Sequence, residues 1–158
     1  MNHKLTYDDA VVIIRESLNV TLHSFRKYPH IFLTEEDVRC YLYFQMFIRL
    51  ENLLERSSDG FLTSAIHSEV RWYGKDGDKN KRSDIVVLDV EDLRISDNID
   101  FRLPSKGYGF NNFFGVIEIK LRRGNSRKKD VNWLSEIQKD IDTLSFLQTG
   151  VINSYNPL

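Results

Sequence analysis

The chain has 158 residues, 41% hydrophobic and 12% aromatic, enough to bury one core and within the range of a single domain. Its 22 Lys and Arg against 23 Asp and Glu leave a net charge of −1, which excludes a global basic field and hands any recognition of nucleic acid to local patches. A single cysteine, Cys40, excludes an internal disulfide framework and a cysteine-rich zinc site.

In chain order, Met1-Asn2-His3-Lys4 leads straight into a charged segment with no long uncharged apolar run, so an intracellular, cytoplasmic protein is expected. Tyr7-Asp8-Asp9 opens a first helix whose Val11, Ile14, Leu18, Leu22 and Phe25 step by three and four, and Tyr28-Pro29 ends it. Thr34 caps a second helix, with Glu35, Glu36 and Asp37 on its positive end. The spacing predicts that this helix runs to about Arg56. It is apolar over much of its circumference (Val38, Tyr41, Leu42, Phe44, Met46, Phe47), so cover on more than one side is expected, and Cys40 within it reads as packing.

A loop at Ser57-Ser58-Asp59-Gly60 precedes a strand over Ala65 to Tyr73, and the turn 74–78 returns the chain as an antiparallel hairpin through Arg82-Ser83-Asp84-Ile85-Val86-Val87-Leu88. A long irregular connection, 92–112, leads to Val116-Ile117-Glu118-Ile119-Lys120-Leu121, read as a strand with Val116, Glu118 and Lys120 on one face. A final helix follows over 131–147, striped by Val131, Leu134, Ile137, Ile141, Leu144 and Leu147. Thr149 to Tyr155 is the only candidate for a last strand.

A carboxylate and an amine side by side on an apolar ribbon carry a desolvation cost unless they pair or bind something, and a divalent cation answers carboxylates. The pattern resembles the PD-(D/E)xK nuclease superfamily, with its restriction-endonuclease-like fold. Asp84 stands at the first acid, Glu118-Ile119-Lys120 at the (D/E)xK, and Glu35, with Glu36 as competitor, at the acid of the preceding core helix; Ser83 replaces the usual proline. The likeness spans roughly 34–148 by order of elements.

The fold implied is an α/β (α+β, mixed-sheet) single domain. Helices flank a central sheet of three to four strands, an extra helix precedes them, and the fourth strand is short, missing or supplied by a second copy in a homodimer. The activity implied is magnesium-dependent hydrolysis of phosphodiester bonds, in DNA before RNA, with manganese as a substitute. Asp84, Glu118 and the main-chain carbonyl of Ile119 are the implied metal ligands, Glu35 holds a metal-bound water, and Lys120 positions the attacking water or stabilises the oxyanion. A non-catalytic or incomplete module of the same fold, binding nucleic acid or a protein partner, is the alternative.

Other residues read both ways. Arg122, Arg123, Arg127, Lys128 and Lys129 could grip a phosphate backbone beside the metal or form a solvated charged loop. Lys75, Lys79, Lys81 and Arg82 on the hairpin could form a second clamp, but the adjacent Asp76 and Asp78 dilute it, and a solvated turn is the leading reading. Trp72 and Tyr73 read as core before base-stacking, and Glu69 as a surface acid. Gln138 and Asp140 are the polar residues of the final helix able to face the site. His3, His23, His30 and His67 lack metal-ligand spacing, and Gly107-Tyr108-Gly109 lacks the context of a phosphate loop.

Overall fold

Two helices open the chain, each started by a reciprocal cap. Thr6 Oγ1 accepts from the Asp9 N–H at 3.2 Å while Asp9 Oδ2 accepts from the Thr6 N–H at 3.1 Å, and α1 (Tyr7–Lys27) follows, ending before Pro29 as expected. Thr34 and Asp37 repeat the exchange at 3.1 and 2.8 Å; each exchange satisfies N–H groups that the first turn of a helix leaves unpaired. The second helix, α2 (Glu35–Arg49), is shorter than its apolar periodicity predicts. Leu50 closes it on the carbonyls of Met46 and Phe47, both at 3.1 Å. Leu54–Arg56 is instead a strand, β1, paired antiparallel with β2 (Leu62–Ser64). The turn between them decides this: Gly60 adopts φ +87°, and Ser57 and Phe61 are bonded across it at 2.8 Å.

The computed structural model describes residues 4–50, 54–72, 81–95, 108–110, 112–121 and 130–150. Its principal sheet has three antiparallel strands in the order β3 (Ile66–Trp72), β4 (Lys81–Leu88) and β7 (Phe113–Ile117). The expected hairpin is present, with Ile66 opposite Val87 and Trp72 opposite Lys81. Central strand β4 is buried on both faces, Ile85, Val86, Val87 and Leu88 each being no more than 1% exposed. Ile85 and Val87 join Leu42 and Met46 of α2 and Ala10 of α1 in one core; Val86 and Leu88 join Val70, Trp72, Leu93 and Phe110 in another.

The second core gives order to the ends of the long connection. Val90–Asp92 forms a 3-10 turn, and β5 (Arg94–Ile95) pairs with β6 (Tyr108–Gly109). Trp72 lies edge-on to Phe110 and Phe113, with ring centroids 5.5 and 5.3 Å apart, so it is core and not a platform for bases. Tyr73 lies outside the described residues, as do residues 96–107.

Beyond Ile117 the expected strand does not continue as a ladder; the reason lies in the site below. The final helix, α3 (Asp130–Gly150), contains the expected segment and takes Thr149 and Gly150 from the expected last strand; 151–155 lie outside the described residues. Cover on the helices is less complete than their composition suggests. On α2, Phe44, Phe47 and Ile48 are exposed while Leu42 and Met46 are buried, and Leu22 of α1 and Leu134 and Ile141 of α3 are exposed too. Cys40 is likewise exposed and not packing, its Sγ donating to Glu36 Oε1 at 3.2 Å. Among the described residues the architecture is thus mixed α/β, three helices with small antiparallel sheets, and no helix is long and apolar enough to cross a membrane.

Candidate active site

The β4–β7 ladder ends at the pair Ile85 and Ile117, so Asp84 and Glu118 are the next residues on each strand. There the main chain after β7 turns its N–H groups to side chains. The Ile119 N–H donates to Asp84 Oδ2 at 2.7 Å, and the Leu121 N–H donates to Glu35 Oε1 at 3.0 Å. Two carboxylates, from β4 and from the first turn of α2, therefore replace a strand neighbour in fixing the Glu118–Leu121 segment. This geometry separates Glu35, bonded to that segment, from Glu36, which turns to Arg39 and Cys40.

Arg39 is the residue that the sequence did not disclose. It carries an ion pair to Glu36 and another to Glu69, and its Nη1 lies 3.1 Å from Asp84 Oδ1. Glu69 is held from its other side by Arg82 at 2.6 Å, so it is a partly buried, doubly paired acid and not the surface acid expected, while Arg82 itself stays exposed. The only available signal was spacing: Arg39 follows Glu35 by four and Glu36 by three, neighbours on one helix face.

Glu69 sits at φ +56°, a left-handed backbone that costs a non-glycine residue about 1 kcal/mol or more. The β3–β4 register passes from Ser68–Ile85 to Val70–Ser83 without a Glu69–Asp84 pair. Arg39 binds both acids at that interruption. Replacing Arg39 with alanine leaves three acids without their shared cation, two of them partly buried. The expected loss is about 1–3 kcal/mol in urea-induced unfolding.

Glu118 is a strongly perturbed acid. Burial pushes it up to about 7, helped by the negative charges of Asp84 and Asp140 and opposed by a hydrogen bond from Ser83 and the charge of Lys120. Its Oε1 is buried without a hydrogen-bond partner, and so is Oδ2 of Asp140, which α3 brings to the site. Lys120 Nζ lies 3.5 Å from that Asp140 oxygen, an ion pair without the geometry of a hydrogen bond. Burial works to lower the pKa of Lys120, but Asp140, Glu35 and Asp84 outweigh it and raise the value above its ordinary one. Lys120 is therefore a cation at neutral pH.

The shift of Glu118 has a definite sign in stability. Between its ordinary 4.5 and about 7 the folded chain holds a proton that the unfolded chain has released, so stability falls as pH rises through that window and gains nothing further above it. Glu118→Gln removes the penalty. Thermal melts should match wild type below pH 4.5 and exceed it at pH 8.

The remaining candidates separate cleanly. Gln138 bonds Asp142 on the exposed side of α3 at 2.9 Å, leaving Asp140 as the α3 residue facing the site. His67 is tied to the Ser64 carbonyl at 2.8 Å and shifted down by burial. Arg122, Arg123, Arg127, Lys128 and Lys129, and Lys75 and Lys79, lie outside the described residues.

Among the described residues no group of three or more His, Cys, Asp or Glu side chains is gathered to hold a metal ion. Asp84 is engaged at both oxygens, by Arg39 and by the Ile119 N–H, and Glu35 is engaged at Leu121. The donor chemistry nevertheless fits a hard cation: all the acids offer oxygens, and two buried carboxylate oxygens accept no hydrogen bond, of which Glu118 Oε1 has no ion pair either. Compared with family models, curated proteins and solved structures, the chain matches none.

Proposed function

We propose that this chain is a metal-dependent nuclease of the PD-(D/E)xK kind, with a restriction-endonuclease-like core, hydrolysing phosphodiester bonds in DNA. The observation that carries the reading is the buried, unpartnered Glu118 Oε1 with Asp84, Lys120 and Asp140 around it. A structural acid at that depth would be paired, and a polar group left bare marks a place where something binds. Asp84, Glu118 and the carbonyl of Ile119 would hold magnesium or manganese, which when bound neutralises phosphate charge and makes a coordinated water more acidic.

The chain's own residues supply the rest. Asp84 and Glu35 fix the main chain at Ile119 and Leu121, and so place Glu118 and Lys120. Arg39 holds the second oxygen of Asp84. Lys120, kept protonated by the acids around it, presents a positive charge where the phosphate oxyanion develops, a role that needs a cation and not a base.

One observation favours the other reading, a non-catalytic module on the same scaffold: Arg39 already neutralises Asp84. The two readings part in a single assay. Purified protein is incubated with plasmid, linear duplex, single-stranded DNA and RNA, each with magnesium, manganese or EDTA. The nuclease cuts DNA with either metal and not with EDTA, whereas the module retards nucleic acid in a gel without cutting it under any condition.

A further inference from the structure

Arg39 offers one positive charge to three carboxylates on three elements: Glu36 on α2, Glu69 on β3 and Asp84 on β4. Its Nη2 meets Glu36, while Nη1 alone serves both Glu69 Oε1 and Asp84 Oδ1, the latter at 3.1 Å. A single nitrogen thus marks the point on which two neighbouring strands converge, each with a carboxylate oxygen. The convergence is built into the backbone. The β3–β4 ladder passes over the Glu69–Asp84 pair, and Glu69 holds φ +56° at that interruption, a conformation that persists only where its surroundings fix it. Arg82 fixes the other Glu69 oxygen at 2.6 Å.

The two oxygens of Asp84 are committed differently. Oδ2 accepts the Ile119 N–H at 2.7 Å, so Oδ1, the oxygen that Arg39 holds, is the one left to a metal ion. A divalent cation and a guanidinium on the same oxygen repel each other, and the repulsion is poorly screened because Arg39 and Asp84 are only 16% and 24% exposed. Arg39 can nevertheless release Asp84 without being stranded, since Glu36 and Glu69 both remain to it.

We propose that Arg39 is a displaceable counter-ion that competes with a divalent cation for Asp84 Oδ1, with Glu69 as the acid that keeps the guanidinium when Asp84 lets it go. The proposal rests on the metal-centre reading above, and it reconciles that reading with an Asp84 already neutralised by arginine. The competition sets the metal concentration at which the centre loads. Coupling of this kind between two ligands of one site commonly amounts to about 5–150-fold in affinity.

The test is Mn2+ titration of the full chain, read from the electron paramagnetic resonance of the free ion, with thermal melts in EDTA as the measure of folding. Arg39→Gln is expected to tighten Mn2+ binding about fivefold or more while it destabilises the chain in EDTA. Glu69→Gln is expected to do the reverse to affinity, because Nη1 then has Asp84 as its sole partner and Mn2+ binding weakens. The double variant Arg39→Gln, Glu69→Gln keeps the net charge of wild type and removes one acid along with the cation, so it regains stability. It carries the test if Arg39→Gln does not fold, and it too is expected to bind Mn2+ more tightly than wild type.

Binding in the double variant weaker than in wild type would overturn the competition and make Glu69 a ligand of the metal. Arg39→Gln and the double variant at or below wild-type affinity, beside a loss of binding in Asp84→Ala, would overturn the proposal and leave the metal centre standing. Wild type and both Arg39 variants binding Mn2+ no better than Asp84→Ala would overturn the metal centre and the proposal with it.

Discussion

Lys120→Ala should lower the rate of phosphodiester cleavage by about 10²–10³, the cost of removing one preorganised group from the place where an oxyanion forms. The side chain is suited to that loss because it is a fixed cation: Asp140 lies 3.5 Å from its ammonium, and Glu35 and Asp84 add their negative charges. A lysine acting as general base would need the opposite environment, one that drives its pKa down toward neutrality. Lys120→Arg keeps the charge and is expected to retain part of the activity, whereas Lys120→Gln should resemble alanine. The fold should survive all three, since Lys120 is partly exposed and its ion pair contributes little to stability. Single-turnover cleavage of a labelled duplex, with circular dichroism as the control for folding, separates these outcomes.

Trp72→Ala should be the most damaging single substitution for stability, at about 3–5 kcal/mol. Trp72 is 3% exposed, sits on β3, and packs edge-on to Phe110 and Phe113, so its removal opens a cavity between the sheet and the ends of the long connection. Its indole also caps the buried Ser83 hydroxyl, which alanine would leave unsatisfied. For a domain of this size a loss of that order lowers the melting temperature by roughly 10 °C. Trp72→Phe should cost far less, because it keeps the aromatic contacts and loses only the N–H. Differential scanning calorimetry of the two variants checks both expectations.

The helix starts and the hairpin were legible because their causes are local: Thr6 and Thr34 cap, Pro29 stops, and the residues around Asp76 turn the chain. The end of α2 was not. Leu53 and Leu54 fit a helical stripe and an extended arm equally well, and the choice falls to the Ser57–Gly60 turn, which closes β1 on β2. The strand expected through Leu121 misled for a related reason. Alternation of Glu118 and Lys120 is a strand pattern, but the N–H groups of Ile119 and Leu121 go to Asp84 and Glu35, partners 35 and 86 residues away that no local period reveals.

For the candidate site, the resemblance to a nuclease motif pointed to Glu35, Asp84, Glu118 and Lys120, and the fold brings these four together at the end of the sheet. What it could not point to was their counter-charges. Arg39 looks like an ordinary helix-surface residue, Glu69 like a surface acid, and their meeting with Asp84 depends on the left-handed backbone at Glu69. Ser83 read as a departure from a motif, and only the fold shows it buried, its hydroxyl accepting the Trp72 indole N–H.

The central claim is that Asp84, Glu118 and Lys120 together form a metal-dependent centre that cuts DNA. Its most direct test is the nicking and linearisation of supercoiled plasmid by wild type and by Glu118→Ala, each with magnesium and with EDTA. Cleavage by wild type in magnesium alone, lost in EDTA and in the variant, is the predicted result. Intact plasmid in every lane, from protein that is folded, or cleavage undiminished in Glu118→Ala, would contradict it.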